Sequence, residues 1–159
     1  MKIKRLWKLK NSVHRYLVDN IYEMKFTQFE EMDIWQNAMH LTTLIYQTTN
    51  DGEFKKDFWL RDQIRRAANS VSSNIVEWFE RQSNNEFIRF LKIAKWSCGE
   101  VRNQIYIAFN VWYIDQLKFE TLKNTSLSLS RQLSWFIKYL ELNRKQWKFV
   151  TKPQKKLSI

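Results

Sequence analysis

Between Phe87 and Ala108 the apolar residues fall at alternating steps of four and three: Phe87, Leu91, Ala94, Cys98, Val101, Ile105 and Ala108. A seven-residue repeat of this kind keeps one seam of a long helix turned toward its neighbours, and the two-residue period of a strand cannot reproduce it. The pattern recurs along the chain. Ile34, Ala38, Leu41 and Ile45 are spaced by four, three and four, with Trp35, Thr42 and Tyr46 beside them, and Asn50-Asp51-Gly52 is a stop signal for that helix. Leu60, Ile64, Ala67, Val71, Ile75 and Phe79 form a second stripe, and Phe119, Leu122, Ser126, Leu129, Leu133, Phe136 and Leu140 a fourth. Ser83-Asn84-Asn85-Glu86 opens the third helix with the spacing of a capping box, in which Ser83 and Glu86 satisfy each other's backbone donors.

Two glycines and one proline in 159 residues leave little material for tight hairpin turns, and no segment alternates as a strand. Four amphipathic helices with short connections predict an all-α, antiparallel up-and-down four-helix bundle over residues 26–142. The flanks differ. In residues 1–25, Ile3, Leu6, Val13, Leu17 and Ile21 lie roughly on one side of a basic amphipathic helix. That segment reads as a membrane-surface or RNA-contacting arm, as an extra helix on the bundle, or as an upstream extension with Met24 the natural start. Residues 143–159 join lysines to Pro153 with little apolar content and read as a disordered basic tail.

The net charge of +11 has the look of a nucleic-acid footprint until it is located. Residues 1–25 carry seven Lys/Arg against Asp19 and Glu23, and residues 143–159 carry six with no acid. Residues 26–142 hold 14 basic and 14 acidic residues and are neutral. Basic ends hold phosphates without reading sequence, which makes Lys145, Lys148, Lys152, Lys155 and Lys156 candidate contacts to RNA or DNA. The bland alternative is a pair of solvated, solubilising tails. No apolar run approaches the roughly 20 residues that span a bilayer, and the basic start lacks the uninterrupted apolar run of a secretory signal. The single Cys98 excludes an internal disulfide and fits a reducing cytoplasm.

Chemistry is thinly represented. His14 and His40 stand on different segments with no Cys or carboxylate at metal-ligand spacing, Cys98 falls in an apolar seam, and two glycines cannot build a phosphate-cradling loop. The expectation is a protein without catalytic residues, metal or cofactor. The second helix does carry a polar stripe, Gln63, Arg66, Ser70, Asn74, Glu77 and Arg81, with Glu77 and Arg81 at ion-pair spacing. It suits a subunit or bundle contact, a nucleic-acid contact or a small-molecule site. Arg65 lies off the stripe, is expected to be the more exposed of the arginine pair, and joins the candidate nucleic-acid contacts.

Several of these residues have a familiar order. Asp33-Ile34-Trp35-Gln36-Asn37-Ala38, then Gln63-Ile64-Arg65-Arg66-Ala67-Ala68 with Ser70, Asn74 and Glu77, then Glu86-Phe87-Ile88-Arg89-Phe90-Leu91 with Ala94, Ser97 and Glu100, resemble the bundle proteins encoded in 23S rRNA intervening sequences. The resemblance spans roughly 26–142 and implies a left-handed bundle that assembles as a homopentamer around a channel. A related branch, the accessory determinant of diversity-generating retroelements, binds a reverse transcriptase and nucleic acid through a basic surface. The neutral body argues against that branch unless the tails supply the charge.

The family usually has glycine where this chain has Trp59, Trp78, Trp96 and Trp112, whereas Trp35 matches a family tryptophan. Average usage predicts roughly 11 glycines in a chain of this length, against two present. With Trp135 and Trp147 added, six glycines would bring the total near the ordinary level. One explanation is UGA codons written as tryptophan where the source organism reads glycine, in which case an indole at a close helix crossing would overpack it. The other is tryptophan selected for packing. UGG codons at the four positions would decide for the second.

Overall fold

The computed structural model describes residues 28–81 and 84–142, which form a single four-helix body. The flanks 1–25 and 143–159, Ser83 of the expected capping box, and the side chain of Arg81 lie outside the described residues. The helices are α1 (Asp33–Thr49), α2 (Phe58–Arg81), α3 (Asn84–Asn110) and α4 (Gln116–Leu142), with 3₁₀ turns at Phe29–Glu31 and Phe54–Lys56. Each helix packs on its neighbours in sequence, and α4 closes the ring on α1. This is the antiparallel four-helix bundle that the apolar spacing predicts, and no strand occurs among the described residues.

The stripes are the core. Every stripe residue whose side chain is described is at most 8 % exposed, except Ile34, which is half-buried at the start of α1. The seam of α3 from Leu91 to Ala108 is fully buried, because α3 contacts α2 on one side and α4 on the other. Small residues let α3 and α4 approach closely. The Cys98 thiol donates to the Ser126 carbonyl at 3.1 Å, and the Ser126 hydroxyl donates to the Cys98 carbonyl at 3.2 Å. Burial pushes the Cys98 thiol above its ordinary pKa, as expected of a seam cysteine rather than a nucleophile.

Short polar residues end and start the helices. After α1 the Asp51 carboxylate accepts from the Gly52 amide at 2.9 Å, and Gly52 takes the left-handed conformation at φ 53°. Asp57 and Asp115 cap α2 and α4, accepting from the amides of Leu60 at 2.9 Å and Lys118 at 2.7 Å. At the other connection the Trp112 amide donates to the Phe109 carbonyl (3.0 Å) and the Tyr113 amide to the Ala108 carbonyl (2.9 Å). This crossed pair is the Schellman ending of a helix, and the residue it places in the left-handed region is Trp112, at φ 65°. Tyr113 then turns back, its ring 5.5 Å from that of Phe54 and its hydroxyl donating to Asp57 at 3.3 Å.

The side chain of Trp78 lies outside the described residues, as do Trp7 and Trp147, and the five described tryptophan side chains divide into two groups. Trp35 meets Phe29 edge-on at 5.1 Å, and Trp135 stacks on Tyr139 at 5.7 Å. Trp59, Trp96 and Trp112 are 67 %, 74 % and 87 % exposed, and no ring contact to them occurs among the described residues. The expected overpacking at a helix crossing therefore does not arise at these three positions within one chain. They sit on outward faces or in a turn, where the indole is mostly in solvent.

Candidate subunit interface

Gln63, Arg66 and Ser70 of the polar stripe turn toward α3, and α2 and α3 together line one open groove of about 740 Å³. Gln63, Arg66, Ala67 and Ser70 form the α2 wall, and Trp96, Gly99, Glu100, Asn103 and Gln104 the α3 wall. Steps of three and four on both helices bring these residues to facing sides along the edge of the buried seam, to which Ala67 itself belongs. Part of the stripe stitches the bundle itself. Ser70 and Ser97 share a hydroxyl hydrogen bond at 2.9 Å, and Asn74 donates to the Ser70 carbonyl and hydroxyl at 2.7 and 3.1 Å. Gln104 donates through Nε2 to Gln63 Oε1 at 3.2 Å.

The rest of the groove is unfinished. Gln104 is only 8 % exposed, yet its Oε1 has no hydrogen-bond partner. Turning both amides over would move the deficit to a donor on the same side chain, so one buried polar atom of Gln104 stays unmet either way. A buried orphan of this kind costs about 1–3 kcal/mol. Arg66 is exposed and uses Nε on the Asp62 carbonyl at 3.3 Å, and among the described residues no ion pair joins Arg66 or Glu100. The groove thus presents one cation, one anion and a buried amide with spare capacity.

Glu77, the next residue of the stripe, is exposed, and the side chain of its expected partner Arg81 lies outside the described residues. Arg65 differs from expectation. It is half-buried, whereas Arg66 is exposed. The reason is a clamp on the end of α1: Arg65 Nε donates to Thr49 Oγ1 and Nη2 to Asn50 Oδ1, both at 2.8 Å, and its guanidinium lies 4.7 Å from the Tyr46 ring centre. Asn69 adds a bond to the Tyr46 hydroxyl at 3.0 Å. Sequence reading missed this clamp because no spacing rule on α2 foretells which residues of α1 it meets. Lys145, Lys148, Lys152, Lys155 and Lys156 lie outside the described residues.

Two smaller grooves flank the bundle. One, between α3 and α4, shares Trp96 with the large groove and adds Lys92, Lys95, Ser134 and Ile137. The other lies between α1 and α4, where Asn37 donates to Gln132 at 2.9 Å beside Asn124, Thr125 and Ser128. No group of three or more His, Cys, Asp or Glu residues with metal-site geometry occurs among the described residues. No helix among them is long and apolar enough to cross a membrane.

The comparisons with known proteins agree with this architecture. A crystal structure of a protein of unknown function from the S23 ribosomal protein family of Bacteroides thetaiotaomicron superposes with a TM-score of 0.61 at 25 % identity, covering 66 % of this chain and 98 % of that one. No curated protein sequence matches the chain. The family model described as 23S rRNA-intervening sequence protein matches residues 30–134, which contain α1 to α3 and most of α4, and the chain belongs to that family.

Proposed function

We propose that the chain is a non-enzymatic, cytoplasmic bundle whose copies associate through the groove between α2 and α3, as a homopentamer on the family pattern. The observation that carries this reading is Gln104: its amide is buried, half-bonded and set in a groove that also holds an unpaired cation and anion. Buried polar groups in folded proteins are nearly always satisfied by protein or water, and a chain seated in this open groove can supply the partner that Gln104 lacks within one copy. Arg66 and Glu100 give the contact its register, because copies that mispair them bury like charges together. The buried thiol of Cys98 suits a reducing compartment.

The basic ends supply a second, weaker activity in this reading: contact with RNA phosphates, carried by Lys145, Lys148, Lys152, Lys155 and Lys156. The body carries no net charge, so in this reading the tail carries the contact: affinity falls steeply with salt and disappears when residues 143–159 are removed. Binding that ignores salt, or survives the truncation, contradicts the RNA role.

Light scattering of the full chain with a Glu100→Arg variant tests the self-association. The expected result is a multimer that Glu100→Arg dissociates, since the reversal sets two cations in one groove. A strict monomer at micromolar concentration, or a multimer indifferent to the reversal, contradicts the proposed interface.

A further inference from the structure

Two hydrogen bonds fix the register of α2 against α3. Ser70 meets Ser97, and seven residues back along α2 and seven forward along α3, Gln63 meets Gln104, as antiparallel helices require. That register sets Arg66 and Glu100 level with each other, about one turn from the amide pair. Both are exposed, both line the groove, and among the described residues no ion pair joins either. The groove is therefore a ladder of three rungs: an amide pair, an opposed cation and anion, and a hydroxyl pair closed on itself.

The amide rung is incomplete. Gln104 is 8 % exposed and its Oε1 has no partner, while Nε2 gives one of its two hydrogens to Gln63. A carboxamide meets this need in either orientation of the Gln104 side chain, because it carries an N–H donor and a carbonyl acceptor side by side. The charged rung asks for partners to a guanidinium and a carboxylate at once. An α-amino acid has both on one carbon: its carboxylate answers Arg66 and its ammonium answers Glu100, bridging two side chains that make no ion pair with each other. The two rungs lie three to four residues apart, about 5 Å along the helix axes. Glutamine spans about the same distance from its α-carbon to its amide nitrogen, four bonds of about 1.3–1.5 Å in a zigzag. Asparagine falls one methylene short. The groove volume of about 740 Å³ lies within the range of small-ligand sites.

We propose that the α2/α3 groove binds a free α-amino acid with a side-chain carboxamide, glutamine by its length. Gln104 holds the amide, Arg66 the carboxylate and Glu100 the ammonium. The site does not rest on the self-association proposed above, although a copy seated in the groove and the amino acid compete for the same side chains.

Isothermal titration of the full chain with glutamine at millimolar concentration tests the site, with light scattering at the same protein concentration. One glutamine per chain is expected, and glutamate, whose carboxylate has no N–H for Gln104 and is repelled by Glu100, is expected to bind at least about tenfold more weakly. N-acetylglutamine, which lacks the ammonium, is expected to lose affinity similarly. Gln104→Leu removes the amide from a buried position, so Arg66→Gln, on an exposed one, guards against a folding defect; each is expected to weaken glutamine at least about tenfold. No glutamine binding, glutamate bound as tightly, or affinity indifferent to both substitutions overturns the site, and a multimer that binds no glutamine leaves self-association standing. A strict monomer that binds glutamine with this selectivity supports the site and removes the subunit interface.

Discussion

An L-residue in the left-handed region carries a penalty of about 1–2 kcal/mol, and Trp112 bears it with its side chain in solvent. Trp112→Gly relieves that strain but gives the unfolded chain more freedom, so the expected net gain is about 0.5–1 kcal/mol, read from the denaturation midpoint. A loss of stability would mean that the indole makes a contact this structure does not contain. Arg65 gives a prediction of opposite sign. Arg65→Ala breaks two bonds and a cation–ring contact that fix the end of α1, at a cost of about 1–2 kcal/mol, and Arg65→Lys should recover little, because an ammonium cannot reach Thr49 and Asn50 with the same fork. An exposed arginine free to meet phosphates would show neither effect. Cys98 responds to pH. Burial raises its folded pKa, so from about pH 8.5, where the unfolded thiol ionises, the unfolded state loses a proton that the folded state keeps, and stability falls as pH rises. Comparing the stability of the chain and of Cys98→Ala between neutral and alkaline pH isolates this slope; equal slopes would mean that the thiol is not desolvated.

At the scale of the helices, steps of three and four carried nearly all the information. The same rule located Ala38 and Leu41, Val71 and Ile75, Val101 and Ile105, and Leu129 and Leu133, because burying one face of a helix is a local property of its sequence. Leu133→Ala should cost about 2–5 kcal/mol, whereas Leu117→Ala, in the first turn of α4 and 77 % exposed, should change stability by less than about 0.5 kcal/mol. Equal effects would put the seam elsewhere. What the helical pattern does not contain is the partner across a helix pair. That Gln63 meets Gln104, or Ser70 meets Ser97, depends on the relative height of α2 and α3, which the whole bundle sets. The exposures of Arg65 and Arg66 were reversed in the sequence reading for the same reason. The end of α3 was hidden differently: glycine marks a left-handed helix stop, and here tryptophan stands in its place.

In the whole molecule, the distribution of charge and the unfinished groove point the same way. Residues 26–142 are neutral overall, so the net charge of the bundle itself sets up no long-range repulsion between copies. Among the described residues, the α2/α3 groove brings the buried, half-bonded Gln104 amide together with two charges of opposite sign that make no ion pair. The polar stripe was visible in the sequence from its spacing, but its incompleteness was not, since that depends on which α3 side chains face it. Light scattering of the full chain beside Glu100→Arg tests this account most directly. The account predicts a multimer for the chain and a shift toward monomer for the variant; identical masses for the two, whether both multimeric or both monomeric, would contradict it.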